Sequence, residues 1–380
     1  MNDFDLSLFS ETFEILYSQP AAAICSDGNI DFGSRAIQGC RLEPLSFADQ
    51  YFDRLSTEVL PKAIGNAKTQ ADLVYHNLVS LPINEELLVL VPEHFDNEKL
   101  GLFLGIAKQA QIKVEHFIDS ALAYSLDIPS RKTLHVLEIG RNNGSITELN
   151  IEEDFRETVN SELIDRLNFT GLIQESLNFI ADEFIKQTRF NPFHSAASEQ
   201  RLYNKLHYHF ESKDSSISTV AIEDNGETRS VQINQDALNE KLASHVEFFD
   251  FSDVDTLVIT PSVFRVPGLK VLLDRLVPNI ITADHKRAVK NSISLVKNKP
   301  SDSVVRIKSG VSEVDYKKEQ NSKKTTGVTK NKVTHLLLEN NAFSIDQPKF
   351  KQIIDSLEKP LEPGQLITID SKTYRAILLE

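Results

Sequence analysis

The chain has 380 residues, which is long enough to form two or three lobes around a substantial hydrophobic core. Hydrophobic residues make up 41% and charged residues 25%, a balance that excludes a disordered or membrane-spanning chain. The formal charge of −14 disfavours a general nucleic-acid binder. Cys25 and Cys40 stand in no CxxC or CxxH pattern, and residues 1–5 lack the basic start of a secretory signal. We therefore expect a cytoplasmic location.

The first 297 residues alternate strands and helices, which predicts an α/β class with mixed sheets. An apolar strand at 87–92 leads into a helix whose N-cap is Asp96 or Asn97. The further predicted elements, in chain order, are a strand at 113–118, a helix around 121–126, strands at 133–139 and 145–151 joined by the polar turn 140–144, helices at 170–188 and 198–210, a hairpin at 219–222 and 229–233 across Asn225-Gly226, a strand at 256–260 and a helix at 267–276.

Charge is concentrated after the last of these elements. Residues 284–332 carry 13 Lys and Arg against 5 Asp and Glu, a net charge of +8. The end of this tract, 317–332, has almost no apolar residues, which predicts a flexible basic linker over 298–333. The residues 334–380 predict a small α+β module, with β-favouring runs at 334–344 and 364–379 around a short helix at 349–357. We expect this module to dock on the main body or on a protein partner.

The basic tract 286–332 has two interpretations. It is a soluble tether, or its positive charge docks an acidic protein surface or an anionic membrane. Nucleic acid is disfavoured because Tyr316 is its one aromatic residue, which provides no stacking platform.

Three segments of the main body each contain a distinct residue pattern, and the three patterns follow one another in a specific order along the chain. They are Leu88-Val-Leu-Val-Pro92 followed by Ala121-Leu-Ala-Tyr124, Leu137-Glu-Ile-Gly140 followed by Gly144-Ser145, and the stretch 256–269 with Thr260-Pro261 and Arg265. In this order they resemble the V-P strand and A-L-A-Y helix, the second phosphate loop and the adenosine loop of the DnaK-type heat-shock ATPases. Residues 284–295 resemble the closing helix of that family, so the resemblance covers about 13–297.

The resemblance implies the two-lobed actin-like ATPase fold, which is ribonuclease H-like with mixed sheets, over 1–297. Lobe I is expected at about 1–135 and lobe II at about 136–297, with ATP and Mg²⁺ held between them. The residues that the resemblance places in this cleft are Glu138, Gly140, Arg141, Gly144, Ser145, Thr260 and Arg265.

All three nucleotide segments depart from the family pattern. Phosphate loops need glycine, because only glycine lets backbone N–H groups approach the anion, and each begins with an Asp that orients water or Mg²⁺. The first region, Phe13–Cys25, has neither Gly nor Asp, and its turn is predicted at Tyr17–Pro20. The second loop has Glu138 at the Asp position, and Thr260-Pro261 replace two glycines of the adenosine loop.

These losses predict a DnaK-like pseudo-ATPase that serves as a protein-binding scaffold or regulator, without a catalytic or metal residue. Its partners are expected to bind the lobes and the module 334–380. The alternative is a divergent, active ATP-binding chaperone-like or actin-like ATPase, with Glu138 as its carboxylate, Arg141 as a phosphate ligand and ATP with Mg²⁺ as cofactor. A third hypothesis is a filament-forming or membrane-tethered actin-like assembly factor.

Other candidate chemistry has weaker support. His207 and His209 would share a metal ion only in an extended segment, whereas they fall in the predicted helix 198–210. The acidic run 152–154 lacks the spacing of a calcium loop and is typical of a solvated surface. The sequence contains no GxSxG, HExxH or GxxxxGK[ST] motif.

Overall fold

The computed structural model describes residues 5–83, 85–129, 133–211, 217–246, 249–266, 268–297, 299, 303–312, 335–338, 341–344, 350, 366–369 and 372–377. The chain forms two compact units, residues 1–314 and residues 315–380. The predicted α/β class with mixed sheets is confirmed. None of the helices in the described ranges has the length and apolar character that crossing a bilayer requires.

The first unit contains ten α-helices among the described residues. They are α1 (Ser34–Gly39), α2 (Gln70–Ser80), α3 (Asn97–Gln109), α4 (Ser120–Ser125), α5 (Phe169–Thr188), α6 (Ala196–Glu211), α7 (Gln235–Val246), α8 (Pro261–Phe264), α9 (Leu269–Leu276) and α10 (His285–Val296). Its strands are β1 (Asp5–Phe9), β2 (Ile15–Pro20), β3 (Ala23–Ser26), β4 (Asn29–Phe32), β5 (Phe47–Ala48), β6 (Val59–Ile64), β7 (Ala67–Thr69), β8 (Leu87–Val91), β9 (Val114–Asp119), β10 (Thr133–Ile139), β11 (Gly144–Glu152), β12 (Phe155–Ile164), β13 (Thr219–Asp224), β14 (Glu227–Gln232), β15 (Thr256–Ile259), β16 (Asn279–Thr282), β17 (Arg306–Ile307) and β18 (Ser309–Val311).

A six-stranded mixed sheet has the strand order β16-β15-β10-β11-β12-β18. Strands β10, β11 and β12 form an antiparallel meander, with Glu138 opposite Ser145. Strand β15 is parallel to β10, and β16 is parallel to β15, so two parallel strands extend the sheet from the first strand of the meander. Strand β18 pairs with the first residues of β12 at the other edge.

A three-stranded parallel sheet has the order β17-β9-β8, and a three-stranded antiparallel sheet has the order β4-β3-β5. Two-stranded antiparallel pairs are formed by β1 with β2, β6 with β7, and β13 with β14. The last pair turns at Asn225 and Gly226, which both have positive φ, as a tight hairpin requires. The predicted hairpin across these residues is confirmed.

Local signals explain where the longer helices begin. Asp96 precedes α3 and its carboxylate accepts a hydrogen bond from the Lys99 backbone N–H at 2.9 Å, so the first of the two predicted N-caps is used. Asn168 caps α5 and Asp284 caps α10 in the same way. These three caps fix where the helices that flank the site start.

Three hydrophobic clusters hold the first unit together. One lies between the six-stranded sheet and α5, α6, α7 and α9, and includes Leu137, Ile173 and Phe184. A second joins β8 to α2 and α3 through Val91, Leu73 and Phe103. The third surrounds the fully buried helix α4 and reaches α10. Burial of these apolar side chains is the main favourable term in folding.

Two sequence predictions differ from the structure. Tyr17–Pro20 is not a turn, because these residues lie in β2, and the β1–β2 hairpin turns at 10–14, where Phe13 has φ 70°. Strands β17 and β18 lie inside the predicted linker 298–333, so part of that segment belongs to the sheets of the first unit. Strands of two and three residues are too short to show an alternation of apolar and polar residues. The prediction of a linker therefore rested mainly on the positive charge of the tract.

The second unit contains a four-stranded antiparallel sheet of β19 (His335–Leu338), β20 (Asn341–Ser344), β21 (Leu366–Ile369) and β22 (Lys372–Ile377). Its strand order is β20-β19-β22-β21. The rings of Phe350 and Tyr374, both buried, contact each other with centroids 5.4 Å apart. The predicted helix 349–357 lies outside the described residues apart from Phe350.

Candidate functional site

The candidate site lies where parallel strands of the first unit end. In open α/β sheets the carboxyl ends of parallel strands are the usual place for ligands. Glu93 follows β8, Asp119 ends β9, Glu138 lies near the end of β10, and Thr260 follows β15. The ends of β9 and β10 meet directly, because the Ser120 hydroxyl donates a 2.6 Å hydrogen bond to Glu138 Oε2.

Glu138 is the carboxylate that the resemblance implies for the second phosphate loop, and its side chain is buried. Burial raises the pKa of the Glu138 carboxyl, while the hydrogen bond from Ser120 opposes that shift.

The loop between β10 and β11 closes on itself and on helix α5. The Gly140 N–H donates to the Asn143 carbonyl at 2.7 Å. The carbonyls of Gly140 and Arg141 accept hydrogen bonds from the N–H groups of Phe169 and Thr170, at 3.0 and 2.9 Å. The first N–H groups of α5 are therefore satisfied by this loop and do not face a ligand.

The same loop is clasped to the segment 49–53. Asn142 Nδ2 donates to the Asp49 carbonyl at 3.1 Å, and Asn142 Oδ1 accepts from Gln50 Nε2 at 3.2 Å. Asn143 Nδ2 donates to Asp53 Oδ1 at 3.0 Å. We call these contacts the loop clasp. Through the loop clasp, the amide side chains of Asn142 and Asn143 already have hydrogen-bond partners within the protein.

Arg141, which the alternative hypothesis uses as a phosphate ligand, is 1% exposed. Its guanidinium lies 5.5 Å from the centre of the Phe169 ring. Its positive charge also acts on Asp49, where burial raises the pKa of the carboxyl and Arg141 partly offsets the rise. The side chain is thus buried against an aromatic ring, and its charge acts on a buried carboxyl group.

Gly144 and Ser145, the other residues of this loop in the resemblance, have structural roles. A Cβ atom on Gly144 would lie 2.2 Å from the Leu167 carbonyl oxygen. Glycine is therefore required there by the packing of the chain that leads into α5. Ser145 is 3% exposed and lies within the sheet opposite Glu138.

Thr260, at the site of the family's adenosine loop, ties β15 to β10. Its hydroxyl donates to the Leu137 carbonyl at 3.1 Å, and the neighbouring Ser262 hydroxyl accepts from the Ile139 N–H at 3.0 Å. Pro261 is the first residue of α8, a position where its missing N–H costs nothing. Thr260-Pro261 therefore starts a short helix where the resemblance expects an open surface.

Arg265 follows α8 and lies near a polar cluster that the sequence did not reveal. The Tyr124 hydroxyl and His285 Nδ1 are 2.9 Å apart, and the Phe9 and His285 rings have centroids 4.8 Å apart. Burial raises the pKa of the Tyr124 phenol well above its usual range. Burial, assisted by the charge of Arg265, lowers the pKa of His285 to about 4.

A second feature that sequence reasoning missed is an ion pair at the end of β9. Arg306 Nε donates to Asp119 Oδ1 at 2.7 Å. The rest of the guanidinium donates to the carbonyls of Phe95 at 2.6 Å, Glu93 at 2.8 Å and Pro92 at 3.3 Å. A protein cation therefore occupies the carboxyl ends of β8 and β9. The arginine lies in the predicted linker, so no local signal could have identified it.

The structure thus brings Glu138, Gly140, Arg141, Gly144 and Ser145 together around one loop, with Thr260 bonded to the adjacent strand. His207 and His209 lie in α6, and the His207 ring packs against the Phe169 ring. Among the described residues, no three His, Cys, Asp or Glu side chains are grouped as ligands for one metal ion.

The pKa of His285 has a consequence for stability. Between about pH 6.5 and its folded pKa of about 4, the unfolded chain binds a proton at His285 that the folded chain does not. Its contribution to stability is present above about pH 6.5 and is lost as pH falls toward about 4. After a discount for partial exposure, we expect His285→Gln to reduce the loss of stability between about pH 7 and about pH 4.5 by about 2 kcal/mol.

Urea unfolding of both proteins at the two pH values measures this difference. Equal pH dependence in the wild type and His285→Gln would contradict the assignment.

Comparison of the sequence with models of protein families gives no match, and comparison with curated proteins gives none either.

Proposed function

We propose that this protein is a pseudo-ATPase of the DnaK-like, actin-like type, which binds protein partners as a scaffold or regulator in the cytoplasm. The topology of the six-stranded sheet supports the fold part of the proposal. An antiparallel meander extended by two parallel strands from its first strand is the arrangement expected of a ribonuclease H-like lobe. The element order from β8 to α4 agrees with the same family.

The loop clasp is the observation that carries the functional part. Phosphate binding in this superfamily needs backbone N–H groups and open space at the loop between β10 and β11. Here the Gly140 N–H bonds to Asn143, and the side chains of Asn142 and Asn143 bond to the segment 49–53. A triphosphate that used these groups would first have to break these hydrogen bonds.

Electrostatics at the clasp also oppose a triphosphate. Asp53 Oδ1 accepts one hydrogen bond from Asn143 and lies 3.4 Å from His94 Nε2, and the net effect of the surroundings is to lower the pKa of the Asp53 carboxyl. The negative charge held there repels phosphate oxygens. Phosphoryl transfer depends on positioned positive charge, and loss of one such group commonly costs about 3 kcal/mol in the barrier.

Titration calorimetry tests the proposal. We expect ATP with Mg²⁺ to give no measurable heat of binding to the purified full chain, because the Gly140 N–H and the side chains of Asn142 and Asn143 are already bonded within the protein. A functional ATP-binding protein titrated in the same buffer shows that the ligand and the instrument are sound. Micromolar binding that Gly140→Val abolishes, or steady release of inorganic phosphate, would overturn the proposal in favour of an active ATPase.

The scaffold role has its own test. Affinity purification from the native cell is carried out with the full chain and with a chain that lacks residues 334–380. The truncated chain should fail to capture the partners that depend on the C-terminal module. Identical sets of partners from the two chains would contradict a docking role for that module.

A further inference from the structure

Helix α10 and its C-cap residue expose a row of three lysines and one isoleucine, which we call the lysine stripe: Lys286, Lys290, Ile293 and Lys297. At 3.6 residues per turn these four positions fall within about 60° of one another around the helix axis. The row is about 16 Å long at a rise of about 1.5 Å per residue. Ile293 is 39% exposed and lies between the lysines.

The opposite face of α10 fixes the orientation of the stripe. Ala288, Asn291 and Leu295 are buried, and Asn291 Nδ2 donates to the Ala123 carbonyl of α4 at 2.8 Å. Arg287, at the side of the helix, pairs with Asp127 at 3.1 Å. The stripe is therefore presented on a rigid element, with its charges facing solvent.

Two helix lysines elsewhere in the described part of the chain pair with a carboxylate of their own helix. Lys270 pairs with Asp274 on α9, and Lys186 pairs with Glu183 on α5. No ion pair joins Lys286, Lys290 or Lys297 to a carboxylate within the residues that the structure describes. Three lysines in a row thus have no carboxylate as an ion-pair partner among the described residues, although Lys286 lies over the Phe13 ring at 5.5 Å, on a chain whose formal charge is −14.

We propose that the lysine stripe is a docking site for an acidic segment of a protein partner, which places an apolar side chain on Ile293 between its carboxylates. This inference rests on the proposed scaffold function and names the chemistry of one contact. Complementary charge favours the encounter, and the apolar contact gives it a fixed register.

A membrane fits the surface less well. Ile293 is the stripe's one apolar residue, which gives little area for insertion.

Fluorescence anisotropy tests the proposal with a labelled peptide of about 12 residues, mostly glutamate with a central leucine. We expect the full-length chain to bind this peptide and the triple variant Lys286→Glu/Lys290→Glu/Lys297→Glu to bind it at least about tenfold more weakly. Ile293→Ala should weaken binding about threefold. Binding should also weaken as NaCl rises from about 50 to about 300 mM.

The matched control is Lys62→Glu/Lys205→Glu/Lys241→Glu, which changes the net charge equally at three exposed lysines elsewhere. It should bind the peptide within about twofold of the wild type. Equal losses in both triple variants, absence of peptide binding, or stripe-dependent binding to phosphatidylserine vesicles in place of the peptide would each overturn the proposal. Thermal melts confirm that the variants fold. ATP calorimetry reports on the loop clasp and not on the stripe, so it separates a failure of this inference from a failure of the proposed function.

Discussion

Replacement of Arg306 by alanine should destabilise the protein by about 3–5 kcal/mol, because it leaves a buried carboxylate without its cation. The Arg306 side chain is 9% exposed and the Asp119 side chain is 0% exposed. The variant also removes donors from the carbonyls of Pro92, Glu93 and Phe95. Urea unfolding at neutral pH, followed by circular dichroism, measures the loss.

Two further variants separate charge from packing at this pair. Arg306→Lys keeps the charge but cannot donate to Asp119 and three carbonyls in a planar fork, so most of the loss should remain. The double variant Arg306→Met/Asp119→Leu removes both charges, and its loss should be smaller than that of Arg306→Ala. A loss below about 1 kcal/mol in Arg306→Ala would show that the pair is effectively solvated.

Gly144→Ala should cost about 3 kcal/mol of unfolding free energy, since overpacking of a close contact typically costs 1–3 kcal/mol and this contact is with rigid backbone. The new Cβ would lie 2.2 Å from the Leu167 carbonyl oxygen, and that carbonyl leads into the Asn168 cap of α5. Either β11 or the start of α5 must move.

Gly105→Ala is the matched control for this substitution. Gly105 lies inside α3, and nothing lies within 4 Å of the Cβ that the substitution adds. Alanine there should stabilise the protein by up to about 1 kcal/mol, as expected for glycine in a helix interior. If Gly144→Ala were as well tolerated as Gly105→Ala, the packing explanation for Gly144 would be wrong, and a ligand-binding role for this glycine would regain support.

Elements with strong local signals could be predicted from the sequence. Helix α3 begins at its Asp96 cap, α5 follows its apolar spacing, and the Asn225-Gly226 hairpin forms as its turn residues require. The β1–β2 turn was missed because Phe13 adopts positive φ, a conformation that its residue type does not favour. Strands β17 and β18 were missed because they are held by long-range pairing with β9 and β12.

At the candidate site too, the identity of each residue can be read from the sequence, whereas its contacts with residues distant in the chain cannot. The departures at Glu138, Arg141 and Thr260-Pro261 are visible in the sequence alone. The contacts that occupy the loop are not, because Asn142 and Asn143 reach side chains and carbonyls about 90 positions away. The close packing of Gly144 against the Leu167 carbonyl is likewise absent from any local pattern, since the two residues lie in different elements.

The return of the chain after α10 has a mechanical consequence. Within six residues, β17 adds to the edge of β9 in one sheet and β18 adds to the edge of β12 in another. Lys308, which joins the two strands, contacts Glu93 through its ammonium group and accepts the Thr158 N–H at its carbonyl. Because this short segment is hydrogen-bonded to both sheets, it restrains movement of one sheet relative to the other. A hinge-like opening of the first unit must therefore twist the backbone at Lys308 or break the strand pairing of β17 or β18.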